Sequence, residues 1–173
     1  MARSRPGTGG RPGGAHLRFD RDSAAPKSPS RRPFSTMIPP RKTRTIHLRD
    51  LPIGGSAPIA VQSMAATRTR DVEATLRQVR LLEAAGADVI RIAVDNPEDV
   101  AALAKIRAET KAVLSVDLQE HYRLATQVAP FVDKVRYNPG HLHHHEKSKS
   151  IEDKVAFLID VAAKHGCAVR IGI

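Results

Sequence analysis

The sequence predicts an α/β fold built on a parallel sheet, a partial (β/α)8 TIM barrel of about five strands. Two observations support this prediction. Five short runs rich in Val, Ile and Leu alternate strictly with four segments of helical period, and their starts lie roughly 20–35 residues apart, the size of a βα unit. Polar residues also end nearly every run, as in a site ringed by all the loops of a barrel.

The composition agrees with buried parallel strands. Hydrophobic residues make up 41% of the 173 residues but aromatic residues only 3%, so the core must be aliphatic. No apolar run approaches the roughly 20 residues of a membrane span, and we expect no membrane association. The single cysteine, Cys167, excludes an internal disulfide, which fits a reducing cytoplasm.

Residues 1–40 form a basic segment rich in Arg, Pro, Gly and Ser. They hold eight of the 28 Lys and Arg residues but two of the 18 acidic residues, so most of the net charge of +10 lies there. Without a hydrophobic period the segment is predicted to be disordered. A targeting peptide and an RNA-binding arm remain open, but a wrongly assigned translation start, with Met37 as the true initiator, is favoured. Residues 41–173 are only mildly basic, so we expect no nucleic-acid partner for the folded part.

The elements follow from local signals in chain order. Residues 43–64 predict a short β-hairpin around Gly54-Gly55, whose second strand, over about 58–63, begins the repeating part. Asp71, Asn96 and Ser150 are N-cap residues for three helices, of which the first and last end at glycines. The predicted helices span 71–86, 96–110, 121–129 and 150–166, and the remaining strands span 88–94, 112–118, 132–138 and 167–173.

A flavodoxin-like open sheet of five strands is the alternative architecture. No Gly-rich dinucleotide loop follows the first strand, and this favours the barrel. Because a complete barrel needs about 250 residues, we expect residues 41–173 to be the N-terminal part of a truncated TIM-barrel domain.

Three arginines lie where predicted strands run out into loops. Arg91, Arg136 and Arg170 occupy equivalent positions in "DVIRIAV", "KVRYNPG" and "AVRIGI". The carboxyl ends of parallel strands share one edge, where ligands bind. An arginine inside a β-branched run needs an anionic partner, either a carboxylate or a ligand. We therefore predict a site for a multiply charged anion, most simply a diphosphate.

Other polar residues lie close to this edge. Asp117 would orient an arginine or contact a substrate hydroxyl, Asn138 would place an amide beside the anion, and Gln62 offers neutral hydrogen bonds. Arg68 lies in the loop after the first strand, where a solvated side chain is favoured. For Asp117 an ion pair with an arginine, and for Asn138 a plain Asn-Pro-Gly turn, are the structural alternatives.

The remaining motifs indicate little chemistry. The run from His141 to Glu146 lacks the spacing and rigid support of a metal site, and we predict no metal ligands in this chain. Cys167 is expected to be a packing residue on the face opposite the site. No nucleophile elbow, P-loop or zinc signature is present, so the catalytic residues stay unknown.

The motifs "PIAVQSM", "TRDVEATLRQ" and "RYNPG", in this order and spacing, resemble the 4-hydroxy-3-methylbut-2-en-1-yl diphosphate synthase family. The resemblance runs from about Arg41 to Ile173. It implies reductive ring opening and dehydroxylation of 2-C-methyl-D-erythritol 2,4-cyclodiphosphate in isoprenoid (terpenoid) biosynthesis. It also implies a TIM barrel that binds the substrate diphosphate through Arg91, Arg136 and Arg170, with Asn138 adjacent.

The resemblance further implies a 4Fe-4S cluster on a later domain, flavodoxin or ferredoxin as electron donor, a homodimer and a bacterial cytoplasmic location. Its cluster ligands, three cysteines and a glutamate, have no counterpart here, because Cys167 does not match one of them. Gln119 replaces a histidine that is common in the family. We therefore expect an N-terminal fragment that binds substrate but is inactive alone. The alternatives are a non-redox phosphate-binding α/β module and nucleic-acid binding through the basic segment.

Overall fold

The computed structural model describes residues 41–118, 121–144 and 146–172. Residues 1–40, for which the sequence predicts disorder, lie outside this part of the chain, as does Gln119. A two-stranded antiparallel hairpin comes first, formed by β1 (Ile46–Leu48) and β2 (Leu51–Ile53). A five-stranded parallel sheet of order β3-β4-β5-β6-β7 follows. Its strands are β3 (Gln62–Met64), β4 (Val89–Val94), β5 (Leu114–Leu118), β6 (Lys134–Tyr137) and β7 (Ala168–Ile171).

The hairpin turns at a different place from the one predicted. Its turn is Arg49-Asp50, and Arg49 adopts the left-handed conformation with φ 55°. Gly54 and Gly55 follow β2 instead, with φ of 91° and 59°. A Cβ on Gly54 would collide with the carbonyl oxygen of Arg44, so glycine is needed where the chain leaves the hairpin. The glycine pair therefore marks an exit loop rather than the hairpin turn.

The predicted helix caps are confirmed. Helix α1 (Val72–Ala84) begins at Asp71, whose side chain accepts a hydrogen bond from the amide of Ala74. Asn96 caps α2 (Pro97–Glu109) and Ser150 caps α4 (Ile151–His165) in the same way. Gly166 closes α4 at φ 67°. The short third helix is real but irregular: α3 (Ala125–Val128) lies between two 3-10 turns, the second of which contains Pro130.

The strand register separates an apolar face of the sheet from a polar one. Parallel pairing aligns Ile92 with Val116, Val116 with Val135 and Val135 with Val169. These side chains belong to the face on which the helices pack, and the core forms between the two layers. Leu103 and Ile106 of α2 are completely buried there. The opposite face carries the polar residues and is called the inner face below.

The sheet curls toward its inner face. The Lys134 ammonium on β6 donates a hydrogen bond to Oε1 of Gln62 on β3 at 2.5 Å. These strands are three positions apart, which would separate them by roughly 14 Å in a flat sheet. The contact therefore requires the curvature of a barrel wall, as the sequence predicted.

Candidate anion-binding site

The inner face arranges its side chains in two neighbouring rows. Side chains two residues apart along a strand share a face, and register then aligns them across strands. The lower row runs from Met64 through Arg91, Ser115 and Lys134 to Ala168. The upper row, one step nearer the carboxyl ends, runs from Ala93 through Asp117 and Arg136 to Arg170. The three predicted arginines thus share one face, with Arg91 one row below the other two.

Asp117 bridges two of these arginines. Nη1 of Arg136 donates a hydrogen bond to Oδ1 of Asp117 at 2.8 Å, and Nε of Arg91 lies 3.8 Å from Oδ2. The Asp117 side chain is only 6% exposed, against 25% for Arg91 and 20% for Arg136. Of the roles open from sequence, the ion pair is therefore present. The carboxylate holds both guanidiniums at fixed positions on the inner face.

Gly172 shapes the position of Arg136. A Cβ built on Gly172 would lie 2.6 Å from Cζ of Arg136, closer than packed atoms come. The amide of Gly172 donates to the carbonyl oxygen of Tyr137 at 2.8 Å, which fixes the chain beside β6. The guanidinium therefore lies against bare backbone, and any larger residue at 172 would displace it. Sequence reasoning missed this residue because the contact depends on the pairing of β6 with β7.

Arg170 is the most accessible of the three arginines. It is exposed, it pairs in register with Arg136, and no carboxylate among the described residues forms an ion pair with it. Arg91 differs, since its Nε and Nη2 lie 3.2 and 2.9 Å from the sulfur of Met64, a weak acceptor. The guanidinium of Arg91 is thus anchored on β3 and β5, and that of Arg170 is available to an outside anion.

Lys134 is a fourth cation on this face that sequence reasoning missed. It is 7% exposed and contacts Gln62, a predicted ligand whose amide oxygen is therefore engaged. Burial, with the charges of Arg170 and Arg91, lowers the pKa of Lys134 to about 8. The sequence did contain a signal for Lys134, because it lies two residues before Arg136 in the same strand and must share its face.

Two other predicted residues lie near the edge without joining the rows. Oδ1 of Asn138 accepts from the amide of Gly140 at 2.9 Å, so Asn138 caps the turn that follows β6. The loop of Arg68 is fixed by α1, because Oε1 of Gln78 accepts from the amides of Ala66 and Thr67. Arg68 lines a separate cavity of about 300 Å³ at the start of α2. Neither side chain has a described contact with the arginines of the inner face.

The loop after β6 is tied down by a cluster that the sequence did not reveal. Glu146 accepts hydrogen bonds from the Tyr122 hydroxyl and from Nη2 of Arg123. These contacts lower the pKa of Glu146 to about 2, Arg123 contributing most. Behind them the buried Lys154 ammonium donates to the carbonyl oxygen of Leu142 at 2.7 Å. The loop that begins with Asn138 is therefore held against α4 and against the 3-10 turn that precedes α3.

The histidine run and Cys167 lie away from the two rows of the inner face. Within residues 41–118, 121–144 and 146–172, no three His, Cys, Asp or Glu side chains come together as metal ligands would. The rings of His141 and His144 stack at 5.7 Å, while His145 lies outside the described residues. The Cys167 thiol lies near the carbonyl oxygens of Ala129 and Val132, and burial raises its pKa to about 11. Cys167 packs against the core on the helix side, as predicted.

The curled parallel sheet, with helices packed on its outer face and cationic side chains on its inner face, defines a domain of the (β/α)-barrel class. The family model described as the GcpE TIM-barrel domain matches residues 43–173. The chain therefore belongs to the GcpE TIM-barrel family, in agreement with the resemblance that its motifs indicated.

Curated proteins with similar sequences are named 4-hydroxy-3-methylbut-2-en-1-yl diphosphate synthase (flavodoxin). A 4-hydroxy-3-methylbut-2-en-1-yl diphosphate synthase (flavodoxin) of Rhodopirellula baltica is 54% identical over 131 residues, covering 76% of this chain and 34% of that protein. Its counterpart from Chromohalobacter salexigens is 42% identical over 134 residues, with 77% and 34% covered. The chain thus spans about a third of the length of these curated relatives.

A solved structure offers a weaker likeness. Phospho-2-dehydro-3-deoxyheptonate aldolase from Thermotoga maritima aligns with a TM-score of 0.41 and 12% identity, over 75% of this chain and 45% of that one. A likeness at this level carries no argument. Separately, none of the helices in the described ranges has the length and apolar character to cross a membrane.

Proposed function

We propose that this chain is the substrate-binding part of a 4-hydroxy-3-methylbut-2-en-1-yl diphosphate synthase, and that its inner face binds the substrate's diphosphate. The observation that carries the proposal is the charge of that face. Arg91, Lys134, Arg136 and Arg170 lie there with Asp117 as the single carboxylate in the two rows. Such an excess of clustered, partly desolvated cations costs free energy until an anion neutralises it.

The division of labour among the arginines suits a diphosphate. Asp117 holds Arg136 and Arg91 in place, so these groups would meet the ligand with little loss of side-chain entropy. Arg170 is exposed and would close on the anion from the rim. Guanidiniums bind phosphate oxygens in bidentate fashion, which gives orientation as well as affinity. Asn138 borders the same edge through the turn that it caps.

The family supplies the expected ligand. The relatives are named as diphosphate synthases that use flavodoxin. We propose 2-C-methyl-D-erythritol 2,4-cyclodiphosphate as substrate and flavodoxin, or ferredoxin, as electron donor of the whole enzyme. The whole enzyme would be a homodimer in the bacterial cytoplasm. A non-redox phosphate-binding module is not favoured, because relatives up to 54% identical carry the synthase name.

The chain's own residues do not fit an iron–sulfur cluster. Such clusters are held by several thiolates, whereas the sequence has one cysteine. The Cys167 thiol also packs on the helix side, near the carbonyl oxygens of Ala129 and Val132 and away from the inner face. We therefore assign this chain binding and orientation of the substrate, and expect no turnover from it alone. Ligands for the proposed 4Fe-4S cluster would come from outside these residues.

Titration calorimetry with inorganic diphosphate tests the proposal. The R136A and R170A variants should each bind at least about tenfold more weakly than the wild-type chain, as expected for lost charge-assisted hydrogen bonds. R77A is the control, because Arg77 lies exposed on α1 and its loss leaves the inner face unchanged. Equal affinity of R170A and wild type would contradict the proposal, since R170A removes an exposed side chain and leaves the core intact.

A further inference from the structure

The lower row of the inner face contains two polar groups, Ser115 and Lys134, to which the proposed function assigns no direct contact with the diphosphate. Ser115 lies between Arg91 and Lys134 in the strand register. It is completely buried, and its hydroxyl has no hydrogen-bond partner among the described residues. Buried hydroxyls are almost always paired, so an orphan in the middle of a charged row indicates a position that a ligand fills.

Lys134 beside it is also incompletely satisfied. An ammonium has three donors, and one of them reaches Gln62. No described carboxylate lies within ion-pair distance of Nζ, while Arg91 and Arg170 repel it. The upper row differs, because Asp117 neutralises part of its charge. The lower row therefore needs an acceptor with negative charge more than the upper row does.

A cavity of about 720 Å³ gives a small anion room to reach Lys134. Its lining includes Lys134, Arg170, Gln62 and Ile53 of the hairpin, whereas Ser115 lies beside Lys134 outside that lining. Ser115 and Lys134 are cross-strand neighbours, and such neighbours have Cβ atoms about 5 Å apart. A phosphate oxygen placed between them would accept from both. A step of two residues along the strand separates this position from the upper row by roughly 6.6 Å.

We propose that Ser115 and Lys134 form a second phosphate-oxygen position, deeper on the inner face than Arg136 and Arg170. The anion of the proposed site then spans both rows, with Arg91 at the junction. This inference rests on the proposed function, because it assigns a second contact point to the same diphosphate. It explains why a lysine and an orphan hydroxyl are buried side by side on the face that carries the arginines.

The test compares two probes on the full 173-residue chain by titration calorimetry with chelator present: inorganic diphosphate and orthophosphate. A two-position site predicts a clear preference for diphosphate in the wild type. K134M should lower diphosphate affinity about fivefold or more, and S115A about threefold. Both variants should also reduce the ratio of diphosphate affinity to orthophosphate affinity. If Ser115 and Lys134 had only a structural role, this ratio would stay at the wild-type value. K105M is the matched control, since Lys105 is exposed on α2.

The outcomes separate this inference from the proposed function. Unchanged diphosphate affinity and preference in S115A and K134M, with weaker binding in R170A, would overturn the deeper position and leave the proposed site standing. Equal binding by wild type and R170A would overturn both. S115A decides the matter if K134M does not fold, because it removes only a hydroxyl that has no described partner.

Discussion

The carboxylate of Asp117 and the guanidinium of Arg136 face each other across adjacent parallel strands, with Nη1 and Oδ1 2.8 Å apart. Arg91 approaches the other carboxylate oxygen from the opposite side. One buried acid thus sets the spacing of two cations, and the charge left over is available to an anionic ligand.

The first prediction concerns Asp117 itself. D117N should destabilise the fold by about 1–3 kcal/mol, because it leaves two half-buried guanidiniums without their carboxylate. Urea unfolding at pH 7 measures the change, with D160N on the exposed side of α4 as control. If D117N and D160N have equal stability, the Asp117 ion pairs contribute nothing and Arg91 and Arg136 are positioned by other contacts.

A second prediction concerns the bare backbone under Arg136. G172A should weaken diphosphate binding, because the new methyl group occupies the space of the guanidinium. In an R136A background the same substitution should have little effect, since the clash has been removed. A double-mutant cycle of diphosphate affinities measures this coupling. Additive losses would show that Gly172 acts elsewhere than on Arg136.

A third prediction concerns the dependence of stability on pH. The pKa of Lys134 falls from 10.5 to about 8 through burial and, next, through Arg170 and Arg91. Arg136 and Asp117 lie in the adjoining row. Because the folded-state pKa lies below the unfolded one, the unfolded chain binds more protons between about pH 8 and 10.5, and this group's contribution to stability rises with pH there.

K134M should therefore be more stable than wild type at pH 7, by up to about 3 kcal/mol. The difference should shrink above pH 8 and vanish near 10.5, the ordinary pKa. Urea unfolding across this range measures it, with K105M as control for the loss of a surface charge. A constant difference between the K134M and wild-type curves would mean that Lys134 keeps an ordinary pKa.

A fourth prediction concerns the amino-terminal end of the sheet. Asp133 accepts hydrogen bonds from the amide of Leu114 at 2.8 Å and from Nη1 of Arg107 at 3.2 Å. Arg107 also donates to the carbonyl oxygens of Thr110 and Ala112. D133A should lower the free energy of unfolding by about 2–4 kcal/mol, because it leaves the buried amide of Leu114 without an acceptor and the desolvated guanidinium of Arg107 without its carboxylate.

This loss should appear in thermal and urea unfolding, while diphosphate affinity stays at the wild-type value. Asp133 is not one of the residues of the two rows, so it separates stability from binding. A D133A variant that folds normally but binds diphosphate poorly would mean that the network around Arg107 also shapes the site.

Much of the fold was predictable because its signals are local. Asp71, Asn96 and Ser150 are residue types that cap a helix when they precede a segment of helical period. Side chains alternate between the two faces along a strand, so the sequence also assigns each strand residue to a face. The hairpin turn was not, because Arg49 adopts a left-handed conformation that residue type favours weakly. Gly54-Gly55 is the stronger turn signal in the sequence, so the predicted position of the hairpin turn was wrong.

The residues of the candidate site were likewise predictable only where their signals are local. Arg91, Arg136, Arg170 and Asp117 were found because their place at the strand ends is visible in the sequence. The contact of Gly172 with Arg136 and the reach of Lys134 to Gln62 depend on how distant strands pair and curl. The substrate contacts of the residues predicted from the sequence, which are Arg91, Arg136, Arg170, Asp117, Asn138 and Gln62, remain predictions.

The most direct test of the central claim observes the arginine side chains themselves. Nε–H resonances can be followed by nitrogen-15 NMR as inorganic diphosphate is added, with assignments from single Arg→Lys variants. We predict that the resonances of Arg91, Arg136 and Arg170 shift together and saturate with one dissociation constant, while those of Arg77 and Arg80 on α1 stay in place. Shifts confined to exposed arginines such as Arg77, with the three inner-face resonances unmoved at saturating diphosphate, would contradict the account.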